Sequence, residues 1–483
     1  WDAALRGLSV ALVDQGDFGA GTSANSLRIV HGGLRYLARG DFARMRESIR
    51  ERSALLRIAP GLVTPLPVLI PTYRHRLRGR PAMGLALLLN ELVSPGRNRG
   101  LSPDRAIPAG HLIGRDECLR LFPWFSRQGL TGGALWYDAR LLHPERLTFS
   151  FVSSAAARGA VAANYVRVDR LQVRRGKIEG ASAADLVGGA RFDIRSRAVV
   201  VAAGPWTSEL VAGTLGEGGN RPKTRYALAV NAVLERKLAD LAVGCQVVSN
   251  PDTDPIGGGG RYLFAAPQGQ RALLGTWYGA AGESPGKVES GVRTLVREFN
   301  EVCPGLELSL RDVAEGQWGL LPLKGSDEPG RPTALAERPR LTDYPGQVQG
   351  LLSVEGVKYT TARRVAEDAV NWVFRSLDRT SPRCRTAEVR LQSAGAPDPL
   401  SWEGASVEAG VHRAVREEMA VKLSDIVFRR STLGTAGRLT RARLVEIARL
   451  AAAELGWNAL RQQTEIEEVM QRAAAAPAEE PVV

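Results

Sequence analysis

His31, Arg35 and Tyr36 stand around a Gly32-Gly33 pair in the stretch SLRIVHGGLRYLARGDF, Ser26 to Phe42. An imidazole titrates near neutral pH and can take up a proton from a reacting hydroxyl. A guanidinium beside it suits a phosphate or a developing alkoxide, and a phenol can orient a bound substrate. The glycines remove side chains where something could come close. The stretch is either a tight turn with a polar rim or a loop lying against a flat ligand.

A second stretch, SVEGVKYTTARRVAED, holds Gly356, Lys358, Thr360 and Thr361 ahead of a helical pattern. The threonines suit a helix cap, and the electropositive helix end points back at the glycine loop and Lys358. Asp14 ends the apolar run LSVALVD, where an acid can accept hydrogen bonds from ribose hydroxyls. The loop after it, QGDFGAGTSANS, offers Gly21, Thr22, Ser23 and Ser26 to an anion. In VVVAAGPW, Ala203 and Gly204 follow an apolar strand, at the end where open α/β sheets bind ligands. Each of these also has a plain structural reading as a strand end, a loop or a tight turn.

These residues need elements to hold them. WDAALRG reads as the last turns of a helix stopped by Gly7, and LSVALVD as a buried parallel strand. A parallel strand entered from a helix needs a partner beyond that helix, so a strand and a Gly-rich phosphate loop are expected upstream of Trp1. Asp41 caps a helix with Phe42, Met45, Ile49 and Leu56 at helical spacing, ended by Pro60. TPLPVLIPTY is strand-like despite its prolines, residues 141–158 are helical, and AVAANYVRV is a strand. KIEGASAADLVGGARFDIRSRAVVVAAGPW reads as turn glycines followed by an apolar strand. YALAVNAVLE, RYLFAAP and RALLGTWYG alternate as in an antiparallel sheet. From Ser406 the pattern is helical, and it ends in a low-complexity tail. The order implies an α/β fold: a discontinuous Rossmann-like nucleotide-binding domain, an inserted antiparallel-sheet substrate domain and a C-terminal helical domain.

With 483 residues the chain exceeds one ordinary core. The net charge of +13 favours anionic partners, but the basic residues are spread along the sequence, which argues against nucleic acid. The four cysteines have no metal spacing and read as free thiols, so no metal is expected. MGLALLLNELV, from Met83, is too short to span a bilayer; it is a buried helix or an interfacial one. The expected location is the cytoplasm, peripheral on the inner face of the cell membrane.

Taken together, ALRGLSVALVDQGDFGAGTSANS, HGGLRYL, TPLPVLIPTYR, GALWYDARL, VVAAGPW and GLLSVEGVKYTTARRVAED resemble the FAD-dependent glycerol-3-phosphate dehydrogenases, which are D-amino-acid-oxidase-like flavoproteins. AVREEMAVKLSDIVFRRSTLG and AAAELGW resemble that family's helical domain. The resemblance implies FAD, oxidation of sn-glycerol 3-phosphate to dihydroxyacetone phosphate, and electrons passed to quinone, or to oxygen in oxidase members. It places the FAD-binding domain at residues 1–60, 137–222 and 345–380 and the substrate domain at 61–136 and 223–344. The helical domain would cover 381–475 and a tail 476–483. It assigns Asp14 to the ribose, Gly21, Thr22, Ser23 and Ser26 to pyrophosphate and ribityl, and His31, Gly32, Gly33 and Leu34 to the isoalloxazine. Val168 would meet the adenine, Ala203 and Gly204 would approach the cofactor, and Gly356, Lys358 and Thr360 would lie near the flavin's pyrimidine end. His31, Arg35, Tyr36 and Lys358 are the implied catalytic set.

The sequence also departs from the family. Where Gly-Leu-Arg-Pro-Leu supplies an arginine to the substrate, WGLLPLKG has Leu321, with Lys324 as a possible substitute. Gly-Thr-Thr-Asp becomes GTWYG, adding Trp277 and Tyr278. These changes favour a second reading, a related enzyme for another polyol, a hydroxy acid or an amine. A non-catalytic flavin-binding protein is the third.

Overall fold

A computed structural model of the chain describes residues 1–74, 79–215, 224–247, 261–280, 285–324, 334–392, 406–436 and 439–473. The expected tail from 476 lies outside the described residues. Ten strands form one mixed sheet. Its order is Ala334–Leu335, Val313–Lys324, Tyr226–Leu234, Arg271–Ala280, Arg261–Gln268, Ala242–Val247, Val63–Tyr73, Leu130–Leu141 and Ile29–Val30, with His111–Ile113 also on Leu130–Leu141. The antiparallel run expected between Tyr226 and Tyr278 is its centre. The sheet extends further than expected, because Ile29–Val30 and Leu130–Leu141 join it from the N-terminal part of the chain.

Val63–Tyr73 carries three prolines, Pro65, Pro67 and Pro71. All three sit at odd positions, so their missing N–H groups point to one side of the strand. One edge pairs along its length with Leu130–Leu141, while the other pairs only at Val68 and Leu69. Beneath the sheet, the helix Pro285–Val302 lays Val292, Leu295, Val296 and Phe299 against Leu228, Val230 and Leu274, the stripe its helical spacing dictates.

The nucleotide-binding part is built from short parallel pairs. Ala11–Val13 pairs with Val161–Ala163, and Val199–Val201 pairs with Leu351–Glu355. Among the described residues no strand joins the two pairs. Ala11–Val13 and Val199–Val201 both border one large cavity. KIEGASAAD and RFDIR, read as turn-rich, are instead the strands Lys177–Asp185 and Arg191–Arg195. They form an antiparallel sheet with Val166–Arg174. Gly180, at φ +147, lets the carbonyl of Ile194 approach where a Cβ would collide, so this glycine serves strand pairing and not a turn.

The C-terminal helices Ser406–Arg416, Arg441–Leu455 and Ala459–Ala473 have their own core of Val407, Val411, Leu444, Ile447, Ile466 and Val469. A π-helical turn, Ile426–Arg430, carries Arg429 and Arg430 toward the first part of the chain. All four cysteines are free thiols.

Candidate active site

Ile29–Val30 pairs with Ala139–Arg140, which brings the following residue pair, His31 and Gly32, against Asp138. Oδ1 of Asp138 accepts from the Gly32 amide at 2.5 Å and from Arg52 Nη1 at 2.7 Å. A Cβ on Gly32 would overlap the Arg52 guanidinium, and one on Gly33, at φ +87, would lie 2.8 Å from the Tyr36 ring. The glycine pair therefore makes room chiefly for the protein's own groups. The glycines are needed by the protein's own packing whether or not a flat ring lies along the loop. Gly33 and Leu34 still line the cavity, whereas Gly32 faces inward to Asp138.

Burial by itself would raise the Asp138 carboxyl. His31, Arg52 and the Gly32 amide outweigh it and hold the group down at about 2. His31 is half-exposed to the cavity, with Nδ1 3.7 Å from Asp138 Oδ2 and its ring 6.3 Å from Phe264.

Tyr36 begins far from Lys358 in sequence, yet the two meet. The Lys358 ammonium reaches the buried phenol oxygen and lies 4.6 Å from the ring centroid. Arg44 approaches the same ring at 5.0 Å, held by Asp41 at 3.2 Å and Glu337 at 3.0 Å. Two cations on one electron-rich ring is a cation–π arrangement that fixes the phenol in place. His31, Tyr36 and Lys358 thus share one cavity. Arg35 stands on the 3₁₀ turn Leu34–Arg39, and its side chain lies outside the described residues.

The loop after Asp14 is stitched to the strand Val313–Lys324. Thr22 Oγ1 accepts from the Leu320 amide at 3.1 Å and donates to its carbonyl at 3.4 Å. Asn25 donates to the Trp318 carbonyl at 2.8 Å and receives Asn231 Nδ2 on its own carbonyl at 3.0 Å. The Thr22 hydroxyl, expected on pyrophosphate, is thereby engaged with backbone. Gly319 permits this, since a Cβ there would press on Thr22. Ser26 Oγ accepts from the Arg28 amide at 3.2 Å, while Gly21 and Ser23 border the cavity. Asp14 accepts from the Gly16 amide at 2.9 Å, and burial pushes its carboxyl up against that bond. Asn25 and Asn231 were not expected at the site; a polar residue inside the apolar run YALAVNAVLE was the available signal for Asn231.

Val168, Ala203, Gly204, Gly356, Lys358 and Thr360 all line the same cavity. Thr361 occupies the cap position of the helix Ala362–Ser376, but neither threonine was needed as a cap, because no side-chain cap bond forms. Leu321 is half-buried in the cavity wall. Lys324 is exposed at the strand's end and is not among the lining residues, so it does not replace the expected arginine. Trp277 is buried in the sheet core, and Tyr278 lines the cavity.

A dinucleotide fits this donor set. A Cβ on Gly21, Gly204 or Gly356 would meet nothing within 4 Å, so all three present bare backbone to open space. The cavity, about 3530 Å³, far exceeds the ~300–1,000 Å³ of a drug-sized site and leaves room for a large cofactor and a substrate. Fold and site define an α/β protein with room for a nucleotide cofactor.

Comparison with known proteins narrows this. Residues 1–358 match the FAD dependent oxidoreductase family, and residues 384–462 match the C-terminal domain of alpha-glycerophosphate oxidase. A glycerol-3-phosphate dehydrogenase of Synechocystis sp. is 32% identical over 431 residues, covering 85% of this chain and 73% of that protein. The mitochondrial glycerol-3-phosphate dehydrogenase of Homo sapiens is 26% identical over 448 residues, and the chain spans 58% of its length. The glycerol-3-phosphate dehydrogenase of Bacillus halodurans, solved with FAD, superposes with a TM-score of 0.75 at 22% identity, covering 100% of this chain and 93% of that one. The chain belongs to the FAD-dependent oxidoreductase family and is related within it to the glycerol-3-phosphate dehydrogenases. Its cofactor is FAD.

Proposed function

We propose that the protein oxidises a secondary alcohol, with sn-glycerol 3-phosphate as the leading substrate and dihydroxyacetone phosphate as product. The convergence of His31, Tyr36 and Lys358 on one cavity, from positions more than 320 residues apart, carries this reading. FAD, when bound, would supply the hydride-accepting chemistry that the side chains lack. Asp14, Gly21, Ser23, Val168, Ala203, Gly204 and Gly356 would hold the cofactor along the cavity. His31 takes the hydroxyl proton. Lys358 supplies positive charge where an alkoxide develops, and the clamped Tyr36 orients the alcohol.

The electron acceptor we propose is quinone at an anionic bilayer, rather than oxygen as in oxidases. Helix Arg80–Val93 supports it. Leu88 and Leu92 are 57% and 66% exposed outside the cavity, Leu85 is 56% exposed at its rim, and Ala82, Met83, Ala86 and Leu89 line it. The helix therefore stands between the site and an apolar outer stripe. None of the described helices is long and apolar enough to cross a membrane.

Leu321 favours a second reading, an alcohol without phosphate. A lost charge-assisted contact is worth roughly 1.5–3 kcal/mol, or about one to two orders of magnitude in affinity. Anaerobic flavin bleaching with glycerol 3-phosphate, glycerol and hydroxy acids separates the readings. Under the second, Leu321→Arg lowers the apparent KM for glycerol 3-phosphate and leaves an uncharged polyol unchanged. Micromolar use of glycerol 3-phosphate by the wild type, harmed by the substitution, would remove Leu321 from the substrate site. Absence of bleaching by any alcohol would point to a non-catalytic flavin protein.

A further inference from the structure

We infer that Asp138 is a positioning residue that fixes the proton of neutral His31 on Nδ1 and so leaves Nε2 as its basic atom. The inference rests on the proposed role of His31 as base. Asp138 lies in the middle of the strand Leu130–Leu141, where it is buried, and its carboxylate is held from several sides. Oδ1 accepts from the Gly32 amide at 2.5 Å and from Arg52 Nη1 at 2.7 Å. Oδ2 accepts from the Trp136 indole at 3.4 Å, and His31 Nδ1 faces it at 3.7 Å. An ionised carboxylate has no hydrogen to give. The ring nitrogen facing it is therefore the one that carries hydrogen, and in a neutral imidazole the lone pair is left on the other nitrogen.

The same acid also sets the ring's position. Gly32 is the next residue after His31, and its amide is tied to Oδ1, so ring and backbone are anchored to one group. Arg52 in turn donates to the Tyr137 carbonyl at 2.9 Å, which holds the guanidinium against the strand. The charged groups around the ring come from several elements. Asp138 is on its own sheet, and Arg52 is on the helix Phe42–Ile58. Arg261, paired with Glu298, is on the strand that carries Phe264, and Lys358 and Arg44 lie at Tyr36. Of these, Asp138 alone is a carboxylate within ion-pair reach of the imidazole among the described residues.

This arrangement makes Asp138→Asn a directed test. Gly32 and Arg52 are close donors and claim the amide oxygen over the longer 3.4 Å contact of the Trp136 indole, so the amide NH₂ is turned toward His31. An NH₂ donates, so Nδ1 must accept and the ring proton moves to Nε2. The base then no longer offers a lone pair at the nitrogen used in the wild type.

The experiment uses FAD-loaded protein with ¹⁵N-labelled histidine at about pH 8.5, where imidazoles are neutral, with His31→Gln to identify the His31 signals. The expected wild-type spectrum is that of the Nδ1–H tautomer, and Asp138→Asn should give the Nε2–H tautomer. Turnover of whichever alcohol bleaches the flavin should fall by about 10²–10⁴-fold in kcat with little change in KM. A purely structural role would lower thermal stability and leave the tautomer unchanged, and an unchanged tautomer overturns the inference. A swapped tautomer with kcat intact would instead uphold the positioning role and remove His31 as the base. If Asp138→Asn does not fold because Arg52 is left unpaired, Arg52→Gln/Asp138→Asn removes both charges, keeps the Gly32 donor, and is read in the same way.

Discussion

Replacing Asp17 by Asn should cost the protein several kcal/mol and loosen its C-terminal helices. Asp17 sits in the loop after Asp14 at the border of the cavity, and its carboxylate is taken up by the C-terminal part of the chain. Its carboxylate receives Arg430 through Nη1 and Nη2, both at 2.8 Å, Arg429 Nε at 2.6 Å, and Asn164 at 2.9 Å. The side chains of Asp17 and Arg430 are fully buried. Burial would raise the Asp17 carboxyl, but the two guanidiniums win and hold it below the ordinary carboxylate range. Asn keeps the size and strips the charge. Arg429 retains Asp425, but Arg430 is left with the Glu418 carbonyl at 2.8 Å and the face of Phe149 at 4.5 Å. Breaking a buried pair costs about 3–5 kcal/mol, because the surviving charge stays desolvated. Domain stabilities of about 5–15 kcal/mol make that a large fraction. Urea unfolding followed by tryptophan fluorescence measures the loss, and limited proteolysis locates it. Cleavage between residues 392 and 441 should speed up first. In Asp17→Leu/Arg430→Met both charges are gone, so the double variant should recover much of the loss. A cost below about 1 kcal/mol for Asp17→Asn, or a double variant no better than the sum of the singles, would refute the reasoning.

Further outcomes follow from the same kind of accounting. Gly32→Ala should destabilise the FAD-free protein by about 1–3 kcal/mol through overlap with Arg52, whereas Gly21→Ala, which meets open space, should leave its melting temperature unchanged. An effect of Gly32→Ala on FAD affinity alone would support the flat-ring reading. On acidification, Asp138 has a folded pKa of about 2, below its unfolded value, so its contribution is present above about pH 4 and lost as pH falls to about 2. It amounts to roughly 2–3 kcal/mol, and acid unfolding of Asp138→Asn should lack that step. His143 is also pushed down, first by burial, so stability should already decline as pH falls below about 6.5, where the unfolded imidazole binds a proton and the folded one resists it. His143→Asn should flatten that limb in a urea titration against pH. Sedimentation with acidic liposomes should be strong at low salt, at about 1 kcal/mol per basic residue near the surface. Leu85→Ser/Leu88→Ser/Leu92→Ser should weaken it, and unchanged binding would remove this helix from the bilayer.

Local features were legible in the sequence. The helix from Phe42 to Ile58 follows its apolar spacing, and Asp41 caps it by accepting from the Arg44 amide at 3.1 Å. The alternating strands from Tyr226 to Tyr278 and the helices after Ser406 follow the same kind of pattern. The cavity also gathered most of the residues that composition and resemblance singled out. What stayed hidden depends on pairs distant in sequence. Nothing around Asp138 announces that Gly32, 106 residues earlier, will donate to it. Asp17 reads as one more polar loop residue until Arg430 arrives. The strands Lys177–Asp185 and Arg191–Arg195 were hidden by Gly180 within the first and Gly188 and Gly189 between them, and the role of Gly180 depends on the Ile194 carbonyl, which no local pattern encodes.

The Asp17–Arg430 contact spans 413 positions of the chain. On a ribosome, the loop carrying Asp17 emerges early, and the arginines that neutralise it are made only after most of the protein. During that interval an aspartate destined for a dry interior has no counter-charge, and the loop cannot settle into its final packing. Long-range contacts of this kind slow folding and lengthen exposure to aggregation and to chaperones. The buried charge at the base of this loop is thus neutralised only after the last helical unit has been synthesised and docked, although Thr22 and Asn25 can already bond the strand Val313–Lys324.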